Sequence, residues 1–578
     1  MSLSAAFNIG RSALAAGQIG LQVAGNNMAN AATAGYSRQI ARLSPLRSNN
    51  TVSGLGIGAG VQVSAIQRQV DAAIEARLRS ATADNAFAQA QAGIFSQIED
   101  ALGELGDDDL SSQMSSFFTA WSERANQTQS DTSVVQRGDQ LAAFVKRLRG
   151  DLSRQRGQVE AQLAAGVERA NQLLETVADF NRQISEAEVG GNTANSLRDQ
   201  RDQAVLELSG LMDVTVIDRG REGVDVLAGS TPVVLGAVSR GVAVRRDTQG
   251  GVTSVSVAVA ADGTRLDLTS GQLGALLSQR SEAVDATIAR LDQITSQLIL
   301  EVNKLHSTGA NARGLRSTQS QVTMSTADRA LALNDPGNTA MTGLPFQAVN
   351  GGFLVHVRHD ASGTVRTVRV NVDLDGLDAT GAPGFGDDTS AEDILAAMDA
   401  VPGLSATFGG DGRLRVTSED GYSFNFAEDS SGVLGVLGVN SYFTGTDASD
   451  IAVRADLLSD SAGLSAGRIV NGTLVENGTA LAMAGLQSAG VEALSGVALP
   501  QAWRDTMQRV GSDAAKANSR ADAALIVEES LSAQRAAVSG VSLDEEAISL
   551  MEAQRQYEAA ARLITVAQEM ASTLLELV

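Results

Sequence analysis

Cysteine is absent from this 578-residue chain. That excludes disulfides, thiolate catalysis and cysteine-ligated metal, and leaves the compartment open. Aromatic residues make up only 3% of the sequence, against 58 glycines. So little ring area is poor material for one large core and favours long helices and thin sheets. Positive charge is also short: 44 Lys and Arg face 67 Asp and Glu, a formal net charge of −23. This balance argues against nucleic acid or anionic membrane as partner, since both reward clustered basic residues. It suits a chain that repels its own copies until specific contacts override the charge. No uninterrupted apolar run reaches the roughly 18 residues of a membrane span. The opening MSLSAAFNIGRSALAAGQIG has neither the basic start nor the continuous apolar stretch of a secretory signal.

What the sequence does have is a helical repeat near each end. Leu3, Phe7, Gly10, Leu14, Gly17, Leu21, Ala24 and Met28 fall four and three apart, the spacing of a heptad seam. Large residues hold one register and small ones most of the other, so a second helix can approach closely. At the far end Ser542-Leu-Asp-Glu545 has capping-box spacing, and Asp544, Glu545 and Glu546 suit the positive end of a helix dipole. From there Ala547, Leu550, Gln554, Tyr557, Ala561, Ile564, Gln568, Ala571, Leu575 and Val578 keep the same rhythm. These two helices are expected to pair with each other or with those of further copies. A single narrow stripe buries little area, so the ends are expected to be unordered in an isolated chain.

Four further stretches read as helix: 68–105, 133–188, 273–305 and 502–538. The longest carries Leu163, Val167, Ala170, Leu174, Val177 and Ile184 in heptad register, interrupted by Asn181. Helices of this length predict a coiled-coil-like bundle rather than a globular enzyme. Period-two strands are expected at 214–216, 224–226, 242–244 and 255–259, with Asp262-Gly263 turning back into Leu266 and Leu268. A second strand-rich stretch alternates at Phe353, Val355 and Val357, at Leu404, Ala406 and Phe408, and at Tyr422, Phe424 and Phe426, with one helix at 391–400. The expected fold class is α+β multidomain, with coiled-coil-like terminal helices, a long-helix bundle and β-rich domains inserted in the middle. The expected division is 1–40 plus 541–578 as a terminal helical assembly domain and 41–212 plus 270–319 plus 475–540 as a long-helix rod domain. Residues 213–269 plus 441–474 form a β-rich domain in this reading, and 320–440 an inserted outer one.

Candidate chemistry is thin. Gly463-Leu-Ser465-Ala-Gly467 matches a nucleophile elbow, but the histidine of such a hydrolase follows its serine, and His306, His356 and His359 all precede it. His356 and His359 are three apart in a strand and so face opposite sides, unsuited to sharing a metal. Asp373-Leu-Asp375-Gly376 resembles part of a calcium loop, yet Leu377 takes a ligand position and the glycine comes too early, so a turn is expected. The glycines from Gly54 to Gly60 lead into a strand, not a helix, which speaks against a phosphate loop. Asp107, Asp108 and Asp109 read as a helix cap. No catalytic residue, cofactor site or metal site is expected.

The stretch NNMANAATAGYSRQ, which ends the first helix, resembles the N-terminal signature of flagellar rod, hook and hook-associated proteins, usually NNIANxNTPGYSR. Asn26, Asn27, Ala29, Asn30, Thr33, Gly35, Tyr36, Ser37 and Arg38 match it. Met28, Ala32 and Ala34 depart from it, and the lost proline leaves the turn less pre-set. The combination Gly-Tyr-Ser-Arg-Gln is similar to the hook-associated protein 1 family rather than to rod proteins. GVSLDEEAISLMEAQRQYEAAARLITVAQEMASTLLEL resembles that family's C-terminal helix, LRDQRDQAVLELSGLMDVTV its helix-to-β junction, and SYFTGTDASDIAV a further recurring stretch. No specific motif covers 320–440.

The resemblance implies a non-enzymatic structural part of the bacterial flagellum, at the junction of hook and filament. It implies an extracellular location, reached unfolded through the flagellar export channel. The implied partners are further copies of the chain, hook protein, other hook-associated proteins and an export chaperone on the C-terminal helix. Leu3, Phe7, Leu14, Leu21 and Met28 are then the N-terminal assembly residues. Leu550, Tyr557, Ile564, Ala571 and Leu575 serve assembly or the chaperone. Asn26, Asn27 and Asn30 are expected to stop the first helix by local side-chain bonds to backbone, Gly35 to permit the turn, and Tyr36 to Arg38 to begin the connector. Two other readings stand beside this one. The chain is a different axial protein (hook, distal rod or flagellin-like), or a secreted protein whose 320–440 insert binds or hydrolyses something.

Overall fold

The computed structural model describes residues 3–46, 58–103, 109–127, 130–190, 193–249 and 252–576. The chain opens with helix α1 (Leu3–Ala29), then the antiparallel pair β1 (Gln39–Pro45) and β2 (Val61–Arg68). Helices α2 (Ala72–Leu102), α3 (Leu110–Ala125), α4 (Asp131–Ala187) and α5 (Asn195–Leu211) follow. Strands β3 (Val214–Asp218), β4 (Val224–Ala228) and β5 (Thr231–Leu235) lead to a hairpin of β6 (Val242–Gln249) and β7 (Val252–Val259). Helices α6 (Gly271–Gln279) and α7 (Ala286–Ser307) are joined by a π-helical stretch. The outer strands are β8 (Gly351–His359), β9 (Val365–Val372), β10 (Leu404–Phe408), β11 (Leu414–Ser418) and β12 (Tyr422–Ala427), with helix α8 (Ala391–Asp399) between β9 and β10. Helices α9 (Leu499–Ser539) and α10 (Leu543–Glu576) close the chain. The fold is α+β and multidomain, with long terminal helices and a strand-rich middle. No helix among the described residues is long and apolar enough to cross a membrane.

The chain divides into two compact units, Met1–Ile94 with Gln158–Arg280 and Ala514–Val578, and Phe95–Gly157 with Ser281–Asp513. In the first, α4 buries Leu163, Val167, Ala170, Leu174, Val177 and Ile184, each at most 6% exposed. Asn181, which interrupts that stripe, is itself only 1% exposed. Its amide donates to the carbonyls of Val224 and Gly236 and accepts from the Val224 amide, so it pins the β-hairpins to the helix. The expected helix start at Arg68 is corrected to Ala72. Arg68 ends β2, and the Asp71 carboxylate takes the first free amides, those of Ala73 and Ile74. Beyond Asp262-Gly263 there is no second strand; a single bridge joins Ala258 and Arg265, and the Leu266 amide closes on the Val257 carbonyl.

The second unit concentrates the scarce aromatics. Phe117, Phe118 and Trp121 of α3 stack with Tyr442 and Phe443, all fully buried. Asp109 caps α3 by accepting from the Ser112 amide, while Asp107 and Asp108 lie outside the described residues. The strands form two three-stranded sheets, β9-β8-β12 and Ser317–Gln319 with β11 and β10. Phe353, Val355, Val357, Phe424 and Phe426 fill their core with Ile394 and Met398 of α8. The helix starts on a complete capping box from Ser390 to Asp393.

Within the first unit α1 lies along α10, and the contact is made by small residues. A Cβ on Gly10 would sit 2.7 Å from Ile564 Cγ1, one on Gly17 3.2 Å from the Tyr557 amide nitrogen, and one on Gly20 3.3 Å from Ala553 Cβ. On α10 the buried stripe is Glu546, Ala553, Ala560 and Ala567. That corrects the expected register of Ala547, Gln554, Ala561 and Gln568 by one residue. Alanines are what permit the glycines of α1 to come this close, and glutamines would hold the helices apart. Gly17→Val forces the backbone at Tyr557 away and is expected to destabilise the helix pair by about 1–3 kcal/mol. Gly25→Ala, with nothing within 4 Å of its new methyl group, is expected to stabilise α1 by up to about 1 kcal/mol. Amide exchange of residues 3–29 and 543–576 in each variant separates the two outcomes. In the unaltered chain those amides are expected to exchange at least about tenfold faster than those of 163–184.

Candidate functional site

The signature turn is built in two layers. In the outer layer Asn30 ends α1, its amide nitrogen and side chain both returning to the Asn26 carbonyl at 3.1 and 2.9 Å. Its Nδ2 also reaches Asn26 Oδ1 at 2.6 Å. Thr33 then closes on Asn30, and Gly35 takes φ +77°, which a side chain would resist. Asn30 thus makes a local side-chain bond to backbone, whereas Asn26 contributes its carbonyl and a side chain bonded to that of Asn30.

Asn27 does something different, which corrects its expected role. It is 1% exposed, and its amide is saturated by partners beyond the helix. Nδ2 donates to the Gln39 carbonyl at 2.9 Å and to Glu546 Oε2 at 3.0 Å. Oδ1 accepts from the Tyr36 hydroxyl at 2.8 Å and from the Gln39 amide at 3.0 Å. Glu546, 2% exposed, accepts on its other oxygen from Arg38 Nε at 2.6 Å. Arg38 Nη1 reaches Glu545 at 2.8 Å, and the Arg38 amide bonds the Ser539 carbonyl at 2.9 Å. Glu545 is therefore held by Arg38 rather than serving as the back-reaching arm of a capping box.

The knot continues into the helical layer. The buried Ser37 amide donates to Asp199 Oδ2 at 3.3 Å, and Arg68 bridges Asp199 and Asp202 at 2.8 and 2.9 Å. Asn195 Nδ2 holds the Ile66 carbonyl at 2.9 Å. Burial, with Asp199 and Glu546 nearby, pushes the Tyr36 phenol up to about 12. It therefore stays a neutral donor to Asn27 throughout the physiological range. Asp199 and Glu546 are the residues that the sequence reading missed as partners of the signature. The readable signal for Glu546 was its place, seven residues before Ala553, on a stripe otherwise made of alanine.

The expected assembly residues divide. Leu3, Phe7, Leu14 and Leu21 are half-buried, flanking the α1–α10 contact rather than filling it, and Met28 is exposed. On α10, Leu550, Ile564 and Ala571 are half-buried; Tyr557 is 39% exposed although its backbone abuts Gly17. Leu575 lies in the last turn of α10, its side chain outside the described residues. Ile548, Met551, Val566 and Met570 are also exposed, on the side of α10 away from the alanine stripe.

The other candidates are held as structure. Ser465 and His306 do meet, despite their order in the chain, but the Ser465 amide donates to Nε2 at 3.2 Å while Oγ accepts from Asn440. His306 Nδ1 is bonded to the Asn440 carbonyl at 2.7 Å, and both residues are 0% exposed, so no hydroxyl–imidazole pair faces solvent. His356 and His359 bond Thr367 and Ser362 separately. Asp373 and Asp375 form the expected turn, and the fold brings Asp388 to them, where it accepts from the Gly376 amide and Asn334. Gly54 and Gly56 lie outside the described residues.

These observations define a class: an α+β multidomain protein with long terminal helices, carrying its distinctive residues at the joint of those two helices. Comparison with known proteins gives the family. The family model described as flagellar hook-associated protein FlgK helical domain matches residues 95–320, and that of the flagellar basal body rod FlgEFG protein C-terminal matches 533–577. The chain is 26% identical to flagellar hook-associated protein 1 of Escherichia coli K12 across 100% of both chains. It is 29% identical to that of Salmonella typhimurium LT2 over 66% of this chain and 73% of the other. The solved flagellar hook junction protein FlgK from Burkholderia pseudomallei shares the fold, with a TM-score of 0.51 and 14% identity, over 80% of this chain and all of that one. The chain belongs to the flagellar hook-associated protein 1, or FlgK, family, and its role is structural, in the bacterial flagellum.

Tyr36→Phe removes one donor from Asn27 and is expected to cost about 1 kcal/mol, read as faster amide exchange at residues 24–45. The His306 imidazole, buried and facing Arg454, is driven down from 6.5 to about 3. The unfolded chain takes up this proton first, so stability present at neutral pH is lost as pH falls from 6.5 towards 3. One such group contributes a slope of up to about 1.4 kcal/mol per pH unit. Denaturant unfolding of the second unit between pH 7 and 4 is expected to carry that slope, and His306→Gln to flatten it.

Proposed function

We propose that the chain forms the junction layer between the flagellar hook and filament, adding to the hook end by packing its terminal helices against those of neighbouring copies and of hook protein. The observation that carries this reading is the double use of the terminal helices. Their small residues are spent on the α1–α10 contact inside one chain, while Phe7, Leu14, Leu21 and Met28 on α1 and Ile548, Met551, Val566 and Met570 on α10 are left half-covered or exposed. Apolar stripes on both helices of a strongly acidic chain are costly in water unless neighbours cover them. The similar protein from Burkholderia pseudomallei is named a flagellar hook junction protein, which supports this place in the flagellum.

Export through the flagellar channel as an unfolded chain fits the absence of cysteine, since no disulfide has to be broken or made on the way. The exposed face of α10 suits an export chaperone before delivery. Other hook-associated proteins are the expected partners on the filament side. The domain division 1–40 plus 541–578, 41–212 plus 270–319 plus 475–540, 213–269 plus 441–474, and 320–440 belongs to the same reading, with the terminal domain as the part that assembles.

The test is electron microscopy of isolated cognate hooks, stripped of later components and incubated with the full chain or with a chain lacking residues 542–578. The full chain is expected to add one bounded layer at the distal end, and the truncated chain none. Failure of the full chain to bind would remove the junction reading.

A further inference from the structure

The bonds that tie the signature turn to α10 join groups far apart in the chain; that from Asn27 to Glu546 is buried and that from Arg38 to Glu546 partly buried. Asn27 and Glu546 are separated by 519 positions, Arg38 and Glu546 by 508. When Glu546 is in place, its carboxylate answers one hydrogen of the Asn27 amide and the Nε of Arg38. When it is absent, those two donors are left inside a closing turn with no acceptor; conversely, a Glu546 docked without the turn is a buried carboxylate with no donor. Either half-formed state bears the penalty of an unsatisfied buried polar or charged group. Tyr36 sharpens this, because its hydroxyl holds Asn27 Oδ1 and so turns Nδ2 towards the carboxylate.

We infer that Glu546 is a latch that couples the ordering of residues 24–45 to the docking of α10. The last turn of α1, the signature turn and β1 close only when residue 546 is seated, and the first turns of α10 settle only when the signature is there to receive it. In a chain that is made or threaded from its N-terminus, the signature segment is consequently held open until residue 546, 508 positions beyond Arg38, has followed. The signature is then a receptor for a carboxylate at the start of the C-terminal helix, as well as a helix stop. The latch belongs to the chain itself, whatever the chain assembles with.

The test uses full-length protein and hydrogen–deuterium exchange at neutral pH. Glu546→Gln keeps the side chain's size but turns an amide hydrogen towards Asn27 or Arg38. It is expected to accelerate exchange about tenfold or more at residues 24–30 and 39–45. Glu545→Gln changes the partner of the outer arm of Arg38, and the Glu545 side chain is 62% exposed. It is expected to change exchange there by no more than about twofold. Unaltered protection of 291–302 in the second unit reports that each variant is folded. Unchanged exchange at 24–45 in Glu546→Gln, or an equal acceleration in Glu545→Gln, overturns the latch. If Glu546→Gln yields no folded protein, the reciprocal arm decides. Asn27→Ala is expected to accelerate exchange at 543–553, in the first turns of α10, and no change there overturns the proposal.

Discussion

A carboxylate taken out of water has to be answered by donors, and the unit that carries both terminal helices is organised around one such group. Glu546 is 2% exposed and is met by the Asn27 amide and the Arg38 guanidinium. Those donors come from a single short segment, so the end of α1, the turn and the start of β1 are fixed together. The same bonds set the register of α10 along α1. Once Glu546 is seated against Asn27, Ala553 falls opposite Gly20, Tyr557 opposite Gly17 and Ile564 opposite Gly10. The polar knot decides which residues meet, and the small residues decide how closely.

The second unit answers its scarcity of rings by concentrating them. Phe117, Phe118, Trp121, Tyr442 and Phe443 lie with centroids 4.8 to 6.3 Å apart, and polar pins surround them. Asn303 accepts from the amides of Tyr442 and Phe443, and the Tyr442 hydroxyl donates to the Val134 carbonyl. Burial holds the His306 imidazole neutral, so it can accept from the Ser465 amide while its other nitrogen bonds the Asn440 carbonyl. Histidine, serine and asparagine thus do the work of joining strands to a helix end.

Helices and strands were largely legible because their periodicities are local. The seam of α4 and the alternation of Phe353, Val355 and Val357 are written in neighbouring residues, and all are buried as that pattern requires. The misreadings share one cause, competition from a partner that is distant in the chain or a side chain whose bond was not foreseen. The extra turn of helix at Arg68 was lost to the Asp71 cap and to the pairing of β2. The register of α10 slipped by one because an acidic residue at 546 looked like a solvated helix start rather than the first member of a buried stripe. Asn181 looked like a flaw in a seam and is the peg of two β-hairpins.

The sequence by itself determined the elements, the close-packing glycines and the signature whose resemblance pointed to the flagellar family. Tertiary structure alone decided what the signature binds. Asn26, Asn27 and Asn30 are alike as residues, and each can turn back on its own backbone, so their chemistry does not distinguish them. Only the arrival of Glu546, 519 positions from Asn27, makes Asn27 the centre of a buried network and leaves its neighbours as a local stop. A hydrogen bond is chosen by distance and direction in space, and neither is written in the spacing of residues so far apart along a chain.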